Sequence, residues 1–453
     1  MPTTSVLPSW DDASVEIREN NFMCEIQMAQ SMGIDGFSLD IMRANENYHR
    51  SIEAMFRAAE RLNTGFKLFF EFDYGKPTME ERATDMQMLI RKYSQHQAYE
   101  TVDGRPLVAA YAPDGWLTKD GQADYAASSQ WWQDNVTSPL HNSGIDIYFV
   151  PTTFRQIWSG GVDEETSRAE LMEWGDTIDG LSLWQIQLSP IGGGIQNLEQ
   201  LGQAVQAADK SWMSTVSMQY WVGAGKSIPS WYWRPDDPET EKTKNGRYYE
   251  HAGGKGLDAQ WNSIINIQKP EWVMMLTWND YNESYFMPVD DLRKYRNGTG
   301  QAPFGWYKSM AGLGELNRYY IQWYKTGLQP EITEDTLFYS YRTSSHKLIA
   351  ERDPRPPVAF GNGPISDDIY MTTMLKTPAE VRIYSGEETM QYEVPAGVHH
   401  LVVPFQAGRQ FFALWRDGEQ IAAGEGTPVN TTIQYYDYWP TTGFIQAGLI
   451  NSK

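Results

Sequence analysis

The chain is nearly devoid of cysteine. Cys24 is the only one in 453 residues, so no disulfide can close within it and stability must come from burial. No run of 18 or more apolar residues is present, which argues against a membrane-spanning helix. The start MPTTSVLPSWDDASVEIREN has neither the basic nor the apolar region of an export signal. Location is left open by this, with a secreted or periplasmic protein expected if a segment precedes residue 1. Positive charge is scarce as well. The 37 Lys+Arg against 58 Asp+Glu give a formal net charge of -21, which repels phosphate backbones and anionic lipid head groups. Neither nucleic acid nor membrane is expected as a partner.

Several catalytic signatures are missing too. GAGKS (223–227) would need a glycine at Tyr220 to be a phosphate loop. The seven histidines form no HExxH or similar ligand spacing, and no GxSxG elbow occurs. The reading calls for no cofactor and no metal.

What the chain has in quantity is aromatic residues, 13% of the total with 18 Trp. Such rings fill cores, and they also stack on the apolar faces of sugars. From Gly33 short apolar runs alternate with amphipathic stretches, the rhythm of strands and helices around a parallel sheet. Strands are predicted at 33–41, 66–74, 105–112, 146–154, 179–185, 214–221 and 272–278, with helices between them such as 48–63 and a closing helix at 306–325. Seven strands are one short of a (β/α)8 TIM-type barrel. Residues 22–33 read as the first helix and 1–21 as a loop, so either the first strand is expected upstream of this chain or the barrel is expected to stay open. After Gly327 the pattern changes to alternating strands and turns, an antiparallel β-sandwich. The expected domains are therefore a catalytic 1–327 and an accessory 328–453, in a monomer.

In such barrels the residues just after each strand form the active face. Here they include Asp40, Glu71, Asp73, Tyr74, Tyr111, Trp116, Trp184, Gln185, Trp221 and, after the last strand, Asn279, Asp280, Tyr281 and Glu283. Carboxylates and amides bond sugar hydroxyls while Trp and Tyr stack. Glycosidic cleavage needs one protonated and one ionised carboxyl group, and Asp280 and Glu283 can supply that pair. Their spacing alone leaves open that one of them merely caps the loop or holds an arginine. Asp73 lies on the same side of its strand as Glu71, which fits either a third working acid or an ion pair under the rim. The long insertion 223–256, carrying Trp231 and Trp233, reads as a lid or cleft wall.

GIDGFSLD, FKLFFEFDY, RPLVAAY, DGLSLW and TWNDYNES, in this order, resemble glycoside hydrolase family 71, the α-1,3-glucanases or mutanases. EVPAGVHHLVVPF in the sandwich is similar to that family too. The resemblance implies a (β/α)8 barrel with an accessory β-sandwich and hydrolysis of an α-1,3-linked polysaccharide or oligosaccharide with inversion. It places the family's catalytic Asp and Glu on Asp280 and Glu283 and a further acid on Asp73. Asn282 stands where many members have glycine. Two other readings compete: a family 99-like endo-α-mannosidase, and a non-catalytic glycan-binding protein.

Overall fold

The computed structural model describes residues 14–73, 78–120, 122–153, 164–184, 189–222, 247–280, 284, 286, 308–352, 359–360, 365–434 and 436–448. Two compact units divide the chain. The first is Met1–Trp184 with Gln196–Thr215 and Asn266–Met274; the second is Gln185–Ile195 with Val216–Ile265 and Met275–Lys453.

In the first unit strands and helices alternate. The strands, in order, are β1 Gly36–Ile41, β2 Lys67–Phe72, β3 Arg105–Ala110, β4 in two pieces Tyr148–Phe149 and Thr152–Thr153, β5 Gly180–Leu183, β6 Ser211–Ser217 and β7 Trp272–Leu276. The helices are α1 Val15–Ser31, α2 Glu46–Leu62, α3 Met79–Tyr93, α4 Tyr125–Trp132, α5 Glu164–Trp174 and α6 Gly194–Ala207. Pairing from β1 to β2, β3, β4, β5 and β6 is parallel throughout, and β7 lies beside β6. Spatial order thus equals chain order, as in a (β/α) barrel. Pro151 splits β4, having no N–H for the ladder, yet its carbonyl accepts from Ser182 N–H at 2.8 Å, while Val150 N–H donates to Val108 O at 2.9 Å. Among the described residues no strand adds to the far side of β1 or of β7.

The alternation along β2 sorts its two faces. Leu68, Phe70 and Phe72 are fully buried, with the Phe70 ring 5.9 Å from Phe56 of α2 and 5.9 Å from Tyr93 of α3. Phe69 points the other way and packs with Leu107, Val150, Met213, Tyr148, Trp272 and Met274, the apolar filling inside the strands. Several boundaries differ from those predicted. Strand β6 begins at Ser211, not 214, because Ser211 to Met213 pair with Gly180 to Ser182. Tyr220–Val222 is not its end but pairs antiparallel with Arg247–Tyr249, at the two ends of the long insertion; residues 223–246 lie outside the described residues. The first helix also starts earlier, at Val15 rather than 22, with Ser14 as N-cap. This stretch has no apolar stripe, and polar anchoring replaces one. Arg18 donates to Asn47 O at 3.0 Å, and Glu19 accepts from Arg57 at 2.9 Å and Arg61 at 3.2 Å, all on α2.

In the second unit the chain resumes at Val216 and at Met275. Its helices are α7 Gly253–Ser263 and α8 Ala311–Thr326. Apart from the short Ala359–Phe360, which pairs with Arg247–Tyr248, eight strands follow: β8 Thr336–Arg342, β9 Asp368–Leu375, β10 Ala379–Ser385, β11 Glu388–Val394, β12 Gly397–Pro404, β13 Gly408–Arg416, β14 Glu419–Val429 and β15 Pro440–Gln446. They form two four-stranded sheets, β12-β9-β8-β15 and β11-β10-β13-β14, whose pairings are antiparallel. Leu337, Ile369, Met371, Val381, Ile383, Phe412 and Leu414 join both sheets in one core, as expected of a sandwich. Helix α8 lies close on β15 at Gly312, where an added Cβ would come 2.5 Å from Gly443 N and 2.7 Å from its Cα. Backbone cannot swing aside as a side chain can. Gly312→Ala is therefore expected to lower stability by about 1–3 kcal/mol, read as an earlier thermal unfolding transition. None of the described helices is long and apolar enough to cross a membrane.

Candidate active site

The first unit builds a layered site above its apolar filling. The β1–β2 register sets Ser38 opposite Phe69 and Asp40 opposite Glu71. Glu71 is 3% exposed, and each of its oxygens accepts a hydroxyl: Ser38 Oγ donates to Oε2 and Thr152 Oγ1 to Oε1, both at 2.9 Å. Burial pushes its carboxyl up to about 7, against the pull of the two hydroxyls, and the charge of Asp73 adds to the rise. Asp73, next on the same face, is partly buried. Burial raises it to about 6, with Arg82 of α3 drawing it down. Asp40 is exposed at the exit of β1.

Aromatic rings stand at the neighbouring exits. Tyr111, bridged in parallel to Thr152, meets Trp184 edge-on at 5.1 Å. Trp116 donates from Nε1 to Tyr111 O at 3.2 Å, with Trp131 at 5.9 Å and the Arg82 guanidinium 5.0 Å from its ring centroid. Tyr48, near the start of α2, shares these surroundings: burial raises its phenol, and the charges of Asp40 and Asp73 raise it further while Arg43 lowers it.

The second unit carries the segment after β7. Thr277 ties it into a tight loop: its Oγ1 accepts the Asp280 N–H at 2.8 Å and donates to Ser284 O at 2.6 Å, while its own carbonyl accepts Phe286 N–H at 2.8 Å. Ser284 N–H donates to Asp280 O at 3.0 Å, and Ser284 Oγ to Leu276 O at 3.1 Å. Ser284 and Phe286 are fully buried, whereas Asp280 is half-buried and Asn279 exposed. The peptide between Leu276 and Thr277 is cis. A short apolar strand thus delivers an acid on a loop whose main chain is fastened at both ends.

The other expected site residues divide in two. Trp221 has no open face: it is 4% exposed and its ring meets Tyr438 at 5.8 Å and Trp439 at 5.7 Å, so it packs the second unit. Tyr74, Gln185, Trp231, Trp233, Tyr281 and Glu283 lie outside the described residues. Sequence reasoning passed over Ser38, Tyr48, Arg82 and Trp131. The period of two along β1 could have singled out Ser38, which shares a face with Asp40. For the helix residues no such pattern existed.

Parallel strands that exit into carboxylates, hydroxyls and indole rings are the equipment of an enzyme that works on sugars, and the chain is a glycoside hydrolase. It belongs to glycosyl hydrolase family 71, whose model matches residues 13–452. It is 24% identical over 436 residues to the glucan endo-1,3-alpha-glucosidase agn1 of Schizosaccharomyces pombe, covering 94% of this chain and 91% of that protein. The mutanase Pc12g07500 of Penicillium rubens is 22% identical, over 94% and 84% of the two chains. Among solved structures, the GH99 endo-alpha-mannosidase from Bacteroides thetaiotaomicron aligns over 68% of this chain and 80% of its own, at 14% identity and a TM-score of 0.46.

Proposed function

We propose that the chain hydrolyses α-1,3-linked glucan with inversion, using Asp280 and Glu283 as its acid and base pair and Asp73 as a third working carboxylate. The observation that carries the reading is the fastened loop after β7, which holds Asp280 half-buried at a strand exit. Its relatives named for α-1,3-glucan hydrolysis support the substrate. Residues 1–327 are assigned the catalytic role and 328–453 an accessory one.

The chemistry follows from the residue types. One carboxylic acid gives its proton to the glycosidic oxygen as the bond from that oxygen to the anomeric carbon breaks. The other carboxylate takes a proton from a water that attacks the same carbon from the opposite face. An α-linkage then yields a β-configured product and a freed hydroxyl. Trp116, Trp184 and Tyr111 offer rings for the apolar sugar faces, while Asp40 offers oxygens to hydroxyls.

Incubation with insoluble α-1,3-glucan, followed at once by proton NMR of the new reducing ends, is expected to show the β-anomer first. An initial α-anomer would overturn inversion. Release from α-mannan and none from α-1,3-glucan would overturn the substrate, and equal inactivity of wild type and Asp280→Asn on both would favour a binding protein.

A further inference from the structure

Glu71 is a buried acid that pairs with no cation among the described residues. Around it in the first unit stand Ser38 and Asp40 from β1, Asp73 from its own strand, Ala109 opposite it on β3 and Thr152 from β4, while Tyr48 from α2 and Arg82 from α3 act on Asp73. Among the described residues no Lys, Arg or His forms an ion pair with it. Among the described residues, the two hydroxyls are the hydrogen-bond partners of its oxygens, at 2.9 Å each.

The chemistry of those partners is the telling point. A buried carboxylate is ordinarily matched by a guanidinium, an ammonium or several main-chain N–H groups, all of which only donate. A hydroxyl can donate or accept. Two hydroxyls therefore fit a neutral carboxylic acid equally well: the acid O–H donates to one, and the carbonyl oxygen accepts from the other. Both hydrogen bonds survive protonation, and the cost of burying a lone charge is avoided.

We propose that Glu71 is a positioning residue held as a neutral acid beneath Asp73, so that Asp73 is the single negative charge at the exit of β2. This rests on the reading of Asp73 as a working carboxylate. Glu71 itself is too deeply buried to bind sugar, and acts through Asp73. Its weakened acidity, caused first by burial, agrees with the geometry.

Glu71→Gln tests this, because the amide copies the neutral acid: its NH2 donates to one hydroxyl and its oxygen accepts from the other. In the wild type, folded Glu71 keeps its proton up to about pH 7, whereas the unfolded chain releases it near 4.5, the ordinary value of a glutamate. The folded state then binds more protons between these values, so stability falls as pH rises through that window. The fall amounts to about three-hundredfold in the folding equilibrium, and Glu71→Gln should lack it. Asp73 titrates in both proteins and cancels from the comparison. Thermal unfolding from pH 4 to 8 is expected to show the variant gaining on the wild type as pH rises.

On soluble α-1,3-glucan oligosaccharides kcat/KM of Glu71→Gln should stay within about threefold of wild type at pH 5. The ratio of variant to wild type should rise at least threefold by pH 8, where the wild type acquires a second buried charge under Asp73. Parallel stability profiles, or a hundredfold loss of activity at pH 5, would overturn the proposal. So would a variant that fails to fold, since it carries the shape and hydrogen bonds of the neutral acid. The stability measurement needs no substrate, and decides the role of Glu71 even if the chain leaves α-1,3-glucan untouched.

Discussion

Asp280→Asn is expected to lower kcat on α-1,3-glucan by about a thousandfold, within the range a positioned acid or base contributes, while KM moves only a few fold. The substitution is a clean one because of how the loop is held. Asp280 fastens it through main-chain atoms, its N–H donating to Thr277 Oγ1 and its carbonyl accepting from Ser284. An asparagine keeps those main-chain bonds and the side-chain volume, and removes the exchangeable proton and the charge. Circular dichroism and the unfolding temperature should therefore match wild type. Initial rates of reducing-end release, measured across substrate concentration, separate kcat from KM. A loss below tenfold would remove Asp280 from the acid and base pair. Glu283→Gln should give a loss of similar size, and the double variant little more than either alone, since two groups serving one transition state do not contribute additively.

Much of the fold was legible because the period of two and the period of 3.6 alternate so regularly along the chain. FKLFFEFD shows the reason: Leu68, Phe70 and Phe72 meet the helices, while Phe69, Glu71 and Asp73 face inward, so one strand encodes both layers. The family resemblance carried by TWNDYNES and its companions is borne out by the match over residues 13–452. Where the pattern misled, polar chemistry had taken the place of apolar burial. Residues 15–21 look like loop because Arg18 and Glu19 are anchored by hydrogen bonds and ion pairs to α2 rather than by an apolar stripe. Ser211 opens β6 because strand register, not hydrophobicity, decides it.

The site was legible to a lesser degree. A strand exit could be found from sequence, but depth along the strand could not, and depth separates Glu71 from Asp73. Both are acids on one face, yet the hydroxyls of Ser38 and Thr152 close over the first. Trp221 shows the same limit for aromatics. Stacking rings and packing rings are identical as residue types, and only its contacts with Tyr438 and Trp439 assign it to packing.

Arg342→Met is expected to destabilise the second unit by about 3–5 kcal/mol, the usual cost of breaking a buried ion pair by removing one partner. Arg342 is 4% exposed and Glu250 is 6% exposed. Its guanidinium donates to Glu250 Oε2 at 2.9 Å, Tyr248 OH at 3.1 Å and Asp367 Oδ1 at 3.2 Å, and also to Ser366 O. Burial opposes the arginine charge, but the groups around it, Tyr248 and Glu250 foremost, more than compensate and raise its affinity for the proton. Asp367 keeps Ser345 and His346 as donors and sits at about 2, burial being outweighed by those bonds, so it tolerates the loss. Glu250 does not, being left with Tyr248 OH and Ala252 N–H. Methionine restores the volume but no charge. A deprived, buried Glu250 leaves an uncompensated charge inside the fold, and that sets the cost. The gap to wild type is measured by urea unfolding at pH 7. Pairing the change with Glu250→Gln removes the stranded charge, and should recover most of the loss at pH 7. No recovery in the double variant would mean that lost packing rather than the uncompensated carboxylate sets the cost.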